Sequence, residues 1–265
     1  MDLTLEDKIT QIAARIKAGG KNIVFTGAGI STESGIPDYR SQGGIWDQFR
    51  PVYFDEFMSS RESREEYWRR WMELYRGLLR AEPNPAHRAV AELCAAGLIH
   101  TVITQNVDGL HQAAGVSETR IIELHGNTRR IRCMHCRQTV PTEEVCKRLV
   151  KGDTAPECSC GGYLKPDTIS FGQAMPVAAV EKAVALARKC AFFMVVGSTL
   201  LVQPAAHMPF YAKHNGAWLA LINLSETPCD TICDVLIRAK AGKVLPAIRA
   251  QVQTGDSGTF KKEVL

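Results

Sequence analysis

The stretch that decides the fold is NIVFTGAGISTESGIPDYR, residues 22–40, in which an apolar run leads directly into two close glycines. The apolar run predicts a buried β-strand. Gly27 and Gly29 let the backbone turn tightly and expose N–H groups to a phosphate, as in parallel α/β sheets that hold a dinucleotide. The G-x-G-x-x-G fingerprint is incomplete because Thr32 stands at its third glycine. Two glycines after a strand are equally typical of a plain tight turn.

Strand-like and helical patterns alternate along the rest of the chain. An amphipathic helix, capped by Thr4 and ended by Gly19 and Gly20, precedes the first strand. This alternation predicts an α/β fold with a Rossmann-like, doubly wound parallel sheet that helices cover on both faces. The predicted strands are residues 22–26, 100–104, 120–124, 191–197, 217–223 and 234–237, and the predicted helices between them are 85–96, 107–114, 176–189, 204–214 and 242–252.

Two insertions interrupt the alternation and predict a smaller zinc-binding and helical domain. Residues 43–82 form a helical insertion, in which 61–80 has the apolar spacing of one long helix. Residues 128–165 form a zinc-ribbon insertion. We expect the polar residues 254–265 to be a flexible tail. The predicted Rossmann-like domain is therefore discontinuous and comprises residues 1–42, 83–127 and 166–253.

Composition and charge exclude several classes of protein. The chain has 265 residues, 45% of them hydrophobic, and a net charge of +4, which is too small to imply nucleic-acid binding. Its apolar runs fall far short of the ~20 residues that a membrane span needs. Acidic residues near the start of the chain argue against a signal peptide. We therefore expect a cytoplasmic monomer that contacts neither membranes nor nucleic acid.

Two close cysteine pairs predict a metal site. Nine cysteines, an odd number, do not suggest the disulfide framework of a secreted protein. Two pairs offer four thiolates to one tetrahedral ion, which predicts a closed, structural Zn²⁺ site. The second pair is Cys-x-Cys, so His135 and Cys146 remain substitutes for the fourth ligand. A redox Cys-x-x-Cys is the alternative, but the first pair does not begin a helix, where thiol pKa values fall. The predicted ligands are Cys133, Cys136, Cys158 and Cys160.

Polar segments follow four predicted strands at the points where the strands end. They are residues 27–29, 106–111, 125–127 and 197–199. Because the carboxyl ends of parallel strands share one edge of a sheet, we expect these segments to line one ligand crevice. His125 is the candidate general base, since it closes an apolar strand and precedes Gly126, which leaves room for a ligand.

The other polar residues near this edge have structural interpretations as well. Asp108 is either the cap of the helix that follows or a ligand contact. His111 supports the crevice or helix packing, and we expect His87 and His207 to serve their own helices.

Residues 27–40 and four later segments together resemble the signature motifs of the sirtuins, the NAD-dependent protein-lysine deacylases. The later segments are TQNVDGLH at 104–111, LHGN at 124–127, the cysteine pairs between 133 and 160, and VVGST at 195–199. They occur in the family's order, and the resemblance spans roughly residues 5–250. It implies an enzyme that consumes NAD as a co-substrate, carries one structural zinc ion and acts on acyl-lysine peptides or proteins.

The resemblance also implies roles for individual residues. His125 and Asn106 would be catalytic, the pyrophosphate would lie on residues 27–29 and 198–199, and residues 33–44 would form a lid. The nicotinamide end would lie near Ser31 and Asp108. The implied NAD contacts are Gly27, Ala28, Gly29, Ser31, Thr32, Ile36, Asp38, Tyr39, Arg40, Gln105, Asn106, Val107, Asp108, His125, Gly197, Ser198, Thr199, Asn223 and Ala241.

The implied reaction begins when the acyl-lysine carbonyl oxygen attacks the ribose C1′ and nicotinamide departs. His125 then removes a ribose hydroxyl proton, and water completes the conversion to free lysine and O-acyl-ADP-ribose. Ile169, Phe171 and Gly172 would bind the extended substrate peptide through backbone hydrogen bonds.

The chain departs from the family pattern at several positions. Tyr39 stands where many sirtuins have Phe, and Gln173 stands where Glu is usual. Desuccinylase-like members carry a Tyr-x-x-Arg at positions that hold Trp71 and Leu74 here. Because no arginine faces the acyl carboxylate, we expect little activity on succinyl-lysine and tolerance of neutral acyl chains. Arg69, Arg70 or Arg76 would change this only in a different helix register.

Two other functions fit parts of the sequence. A mono-ADP-ribosyltransferase would use NAD but leave ADP-ribose on a protein. A zinc-ribbon protein that binds nucleic acid would use the small basic cluster of Arg129, Arg130 and Arg132, but this function leaves the glycine loop and His125 unexplained.

Overall fold

The computed structural model of the chain describes residues 3–37 and 50–254. Its helices are α1 (Leu5–Lys17), α2 (Phe54–Ser59), α3 (Arg61–Arg80), α4 (Pro85–Ala95), α5 (Leu110–Ala113), α6 (Thr142–Val150), α7 (Val177–Ala187), α8 (Met208–His214) and α9 (Ala241–Thr254). Its strands are β1 (Asn22–Thr26), β2 (Thr101–Thr104), β3 (Ile121–Glu123), β4 (Gly126–Cys133), β5 (Thr139–Val140), β6 (Leu164–Thr168), β7 (Phe192–Val196), β8 (Trp218–Ile222) and β9 (Val235–Ile237).

Six strands form a parallel sheet in the order β3-β2-β1-β7-β8-β9. Successive side chains of a strand point to opposite faces, so Val24 joins one apolar core while Ile23 and Phe25 join the other. The first core includes residues of α1, α4 and α9, and the second includes residues of α7 and α8. Helices therefore cover both faces, which confirms the predicted doubly wound fold.

The strand order reverses between β1 and β7. From β1 the chain adds β2 and β3 on one side and later returns to place β7 on the other. β1 and β7 pair in register from Asn22 with Phe192 to Thr26 with Val196. Residues 27–29 and 197–199 therefore leave the sheet side by side, at the kind of switch point where open α/β sheets bind ligands.

A second, antiparallel sheet has the order β5-β4-β6. Trp68, Trp71 and Tyr75 of α3 join Ile131 and Leu164 of this sheet in a third apolar core. The long helix predicted at 61–80 is confirmed. β4 and β6 extend beyond the boundaries predicted at 127/128 and 165/166, and the division of the chain into domains stays a prediction.

The ends of two predicted helices have different outcomes. Thr4 caps α1 as expected, because the Asp7 N–H donates to its Oγ1 at 3.2 Å and the Thr4 N–H donates back to Asp7 Oδ2 at 3.0 Å. The helix predicted at 107–114 is wrong in length. It begins only at Leu110, because Gly109 adopts the left-handed region with φ +71°.

Among residues 3–37 and 50–254, no helix has the length and apolarity that a membrane crossing needs.

Candidate active site

Three glycines pack backbone against backbone at the switch point. The Gly29 N–H donates to the Gly197 carbonyl at 2.8 Å. A Cβ on Gly29 would lie 2.8 Å from Gly197 Cα, and one on Gly27 would lie 2.7 Å from the Gly197 carbonyl oxygen. The sequence pattern predicts that these glycines leave room for a phosphate. The structure shows an additional reason, which is that they let the two ligand loops approach each other.

Polar side chains from the loop after β2 connect the two glycine loops. Gln105 Nε2 donates to Ser198 Oγ at 2.8 Å, and Asn106 Nδ2 donates to the Gly27 carbonyl at 3.1 Å. Residues 27–29, 105–108 and 197–199 therefore lie together, as the sequence analysis predicted for the carboxyl edge of the sheet. Ala28 and Thr199 belong to the same two glycine loops.

A buried carboxylate lies beside these loops. The Ser31 hydroxyl donates to Asp108 Oδ2 at 2.7 Å and accepts from Asn106 Nδ2 at 3.2 Å. Asp108 Oδ1 accepts the Leu110 N–H at 2.9 Å, so Asp108 holds both the start of α5 and Ser31. Ser31 and Asp108 are buried. The N-cap residue of α5 is Gly109 rather than Asp108, and the Asp108 carboxylate is an acceptor fixed by two donors.

Two buried histidines support this cluster from behind. His87 Nε2 lies 3.4 Å from Ser31 Oγ, which corrects the expectation that His87 serves its own helix. His111 Nε2 lies 2.9 Å from Thr26 Oγ1, and the two imidazole rings meet edge to face at 5.1 Å. Burial lowers the pKa of His87 to about 4 and that of His111 to about 3. The sequence feature that could have indicated this buried contact is the position of His87 on the apolar face of α4.

His125 has the geometry of a general base. Its Nδ1 lies 2.9 Å from the backbone carbonyl oxygen of Gln105. A carbonyl oxygen only accepts, so Nδ1 carries the proton of the neutral ring and Nε2 keeps its lone pair. Burial lowers the pKa of His125, although the hydrogen bond to Gln105 opposes this shift. A neutral imidazole with a free Nε2 lone pair at neutral pH can accept a proton.

The segment after β6 begins against the backbone of the same histidine. The Ile169 N–H donates to the His125 carbonyl at 2.9 Å. Further along, the Phe171 carbonyl accepts the Phe54 N–H at 2.9 Å, and the Phe171 ring is exposed. Gly172 follows with φ +78°. The predicted substrate segment is therefore anchored at Ile169 and reaches the surface at Phe171.

The structure explains the glycine at position 126 differently from the sequence, which suggested that it leaves room for a ligand. It has φ +77°, and a Cβ there would lie 1.9 Å from the Asp167 carbonyl oxygen of β6. The residue leaves room for the neighbouring strand rather than for a ligand.

The remaining predicted NAD contacts lie farther along the same edge. Asn223 follows β8 and is buried, and Ala241 begins α9. The Gly242 N–H donates to Glu33 Oε2 at 2.8 Å, which brings the residues after β1 to the start of α9. No sequence pattern indicates this contact, because nothing local connects residues so far apart. Of the other contacts, Thr32, Ile36 and Val107 lie on the described loops, whereas Asp38, Tyr39, Arg40 and most of the predicted lid lie outside the described residues.

The four predicted cysteine ligands come together. The Sγ atoms of Cys133, Cys136, Cys158 and Cys160 all lie within 4.8 Å of one another, and neither His135 nor Cys146 belongs to this group within the described residues. Two Sγ pairs are 3.6 and 3.8 Å apart. A tetrahedron with Zn–S bonds of about 2.3 Å has edges of about 3.8 Å. The cluster therefore fits a structural zinc ion with four thiolate ligands.

The glycines that follow the second pair make this geometry possible. Gly161 has φ +79°, and a Cβ on Gly162 would lie 2.6 Å from Cys133 Sγ. A tight turn therefore follows the Cys-x-Cys pair and leaves room for the Cys133 thiol.

The family model of the Sir2 family matches residues 27–204. An NAD-dependent protein deacetylase of Thermodesulfovibrio yellowstonii is 45% identical over 249 residues, which are 94% of this chain and 96% of that protein. NAD-dependent protein deacetylase 1 of Bradyrhizobium diazoefficiens is 49% identical over 230 residues, 86% of this chain and 90% of that protein.

A solved structure of a Sir2 protein with a p53 peptide and NAD+ is similar throughout. It has a TM-score of 0.82 and 35% sequence identity, and the match covers 93% of this chain and 98% of that one. The fold, the ordered motifs and the extent of these matches agree, and the chain belongs to the Sir2 family, the sirtuins.

Proposed function

We propose that this chain is an NAD-dependent protein-lysine deacylase. It would convert NAD, an acylated lysine and water into nicotinamide, O-acyl-ADP-ribose and the free lysine. The observation that carries this proposal is the arrangement of His125, whose Nδ1 faces the Gln105 carbonyl and whose own carbonyl accepts the Ile169 N–H. This arrangement keeps a neutral base next to the segment that would bind the substrate.

NAD would bind along the edge where the glycine loops meet. Residues 27–29 and Ser198 would hold the pyrophosphate through the Ala28 N–H and the Ser198 hydroxyl, since the N–H groups of Gly27 and Gly29 already donate to the carbonyls of Val196 and Gly197. The Ser31–Asp108 pair would bind the carboxamide of nicotinamide, since a buried carboxylate accepts amide N–H donors. Asn106, fixed by Gly27 and Ser31, would order the adjoining ribose. Asn223 and Ala241 would receive the adenosine end.

The substrate would be an extended acyl-lysine peptide that pairs with residues 169–172. Backbone pairing accepts many peptide sequences. His125 would take the ribose hydroxyl proton on Nε2 once nicotinamide has left. Before the next turnover this proton would leave Nε2 for the product amine or for water, which restores the neutral base.

The zinc site would act through structure alone. All four positions around the ion would be filled by cysteine thiolates, so no position is open for substrate or water.

We also propose the division into a discontinuous sheet domain and a small domain of residues 43–82 and 128–165. In the small domain the four-cysteine cluster would hold the end of β4, the strand whose first residue, Gly126, follows His125.

We further propose a cytoplasmic monomer without nucleic-acid ligands. The cysteines outside the cluster are free thiols, as is usual in a reducing compartment. Light scattering after gel filtration tests the monomer, because it measures the molar mass, which for a dimer would be twice the chain mass of 29.2 kDa.

Mass spectrometry with NAD and a panel of acyl-lysine peptides tests the function. We expect one nicotinamide and one O-acyl-ADP-ribose for each lysine released. NAD consumption that leaves the peptides acylated and places ADP-ribose on protein would instead indicate a mono-ADP-ribosyltransferase.

A further inference from the structure

Lys165 carries a positive charge into the interior of the protein. Its side chain is fully buried, although lysine is almost never fully buried unless it is paired. Its Nζ donates to the Thr168 carbonyl at 2.5 Å and to the Pro166 carbonyl at 3.4 Å, and it lies 5.5 Å from the centre of the Tyr67 ring. Within residues 3–37 and 50–254, no carboxylate forms an ion pair with it. The ammonium is therefore held by backbone carbonyls and an aromatic face.

The position of Lys165 in β6 explains why a long cationic side chain is useful there. The ladder between β4 and β6 is irregular, because Asn127 pairs with Asp167 whereas Ile131 pairs with Pro166. Residues 128–130 of β4 thus have no register partner in β6. Beside this bulge the Lys165 ammonium donates to two carbonyls of its own strand, those of Pro166 and Thr168.

The far end of this contact lies next to the active site. Thr168, whose carbonyl binds Lys165, directly precedes Ile169, and the Ile169 N–H donates to the His125 carbonyl at 2.9 Å. The Tyr67 hydroxyl lies 3.4 Å from Thr168 Oγ1, so a second group fixes the same residue. Lys165 therefore holds the residue from which the predicted substrate segment starts.

We propose that Lys165 is a positioning residue for the substrate peptide. Its ammonium fixes the Thr168 carbonyl, and this keeps the next residue, Ile169, in its hydrogen bond to the His125 carbonyl, where a peptide would pair. The inference rests on the proposed function, in which this segment binds the acyl-lysine peptide. Lys165 itself touches neither NAD nor the acyl group.

Arg120 provides a matched control at the other end of β3 from His125. Its Nη1 donates to the backbone carbonyls of Cys94 and Ile99 at 2.6 and 3.1 Å, which is the same kind of contact. Arg120 precedes β3, whereas His125 follows it. Loss of this cation removes two carbonyl contacts without reaching the substrate segment.

The test compares Lys165→Met with Arg120→Met in two measurements. In Lys165→Met we expect the KM for an acetyl-lysine peptide to rise about tenfold while the KM for NAD changes less than about twofold. Amide hydrogen exchange at Ile169 should become faster in the protein without ligands. In Arg120→Met, both the peptide KM and the Ile169 exchange should stay at the wild-type values, even where the protein is less stable.

The inference is overturned when Lys165→Met shifts the peptide KM and the Ile169 exchange no more than Arg120→Met does. If Lys165→Met does not fold, Lys165→Gln takes its place, because its shorter amide cannot reach both carbonyls. An unchanged peptide KM in that variant also overturns the inference. Wild-type protein that deacylates no peptide would refute the proposed function instead, while the Ile169 exchange would still decide whether Lys165 holds the segment.

Discussion

His125 Nδ1 lies 2.9 Å from the Gln105 carbonyl, and the His125 carbonyl in turn accepts the Ile169 N–H at 2.9 Å. One residue thus connects the loop after β2 with the segment after β6. Gln105 also donates to Ser198 beside the glycine loops. The proposed base is therefore fixed on both sides, and its orientation does not depend on its own rotamer preference.

The buried histidines predict a loss of stability in mild acid. The pKa of His87 is about 4 and that of His111 about 3 in the folded protein, whereas histidine in an unfolded chain has a pKa of about 6.5. The unfolded state therefore binds more protons below pH 6.5. The contribution of the two histidines to the free energy of unfolding is complete above pH 6.5. It falls by up to about 1.4 kcal/mol per pH unit for each histidine as the pH drops toward 4.

Urea unfolding between pH 7.5 and 4.5 measures this effect. We expect His87→Gln to reduce the slope of unfolding free energy against pH, and His214→Gln, a change at an exposed residue, to leave it unchanged. Equal slopes in wild type and His87→Gln would contradict a neutral, buried His87.

Two glycine variants separate a close backbone contact from ordinary helix propensity. A Cβ at Gly29 would lie 2.8 Å from Gly197 Cα, so we expect Gly29→Ala to destabilise the protein by about 1–3 kcal/mol and to raise the KM for NAD. Gly77 lies in α3 with open space around its Cβ position, so Gly77→Ala should stabilise by about 0.5–1 kcal/mol. Thermal unfolding and NAD titration measure both effects. A wild-type NAD affinity in Gly29→Ala would argue against the role of the glycine contact.

The cysteine cluster predicts one zinc ion per chain. Cys160→Ser should lose the metal and destabilise the sheet formed by β4, β5 and β6, because three thiolates leave the ion incompletely coordinated. Cys146 lies outside the cluster, so Cys146→Ser should keep the metal. Elemental analysis of the purified variants gives the zinc content. Zinc retained in Cys160→Ser but lost in Cys146→Ser would show that the ligand set is different.

The α3 helix predicts weak activity on acidic acyl groups. Trp71 is buried, donates from Nε1 to Thr128 Oγ1 at 2.9 Å and stacks on Tyr75, so it offers no cation to an acyl carboxylate. Arg69 and Arg70 both pair with Glu66. We expect succinyl-lysine peptides to be deacylated at least about tenfold more slowly than acetyl-lysine peptides. Similar kcat/KM values for the two peptides would contradict this prediction.

The sequence predicted most of the fold because its signals are local. Each strand of the main sheet is a short apolar run, and each ligand loop begins where such a run ends. The edge that gathers His125, Asn106 and Asp108 therefore followed from the rule that parallel strands share their carboxyl edge. The cysteine spacing likewise predicted the metal cluster.

Contacts between distant parts of the chain could not be predicted in this way. Glu33 meets Gly242, and Gly126 faces Asp167, through the assembled fold. No sequence pattern singles out Lys165, because its burial and its carbonyl partners arise only in the folded strand β6. The short α5 helix was overestimated, because a left-handed glycine and an irregular loop replaced its first turn.

The most direct test of the central claim compares wild type, His125→Ala and His214→Ala with NAD and an acetyl-lysine peptide. The measured quantity is the rate at which O-acetyl-ADP-ribose forms, followed by mass spectrometry. Because a positioned base contributes roughly 10²–10⁴-fold, we expect His125→Ala to lose at least about a hundredfold and His214→Ala to match wild type. Product formation in His125→Ala at a rate close to that of wild type would contradict the account.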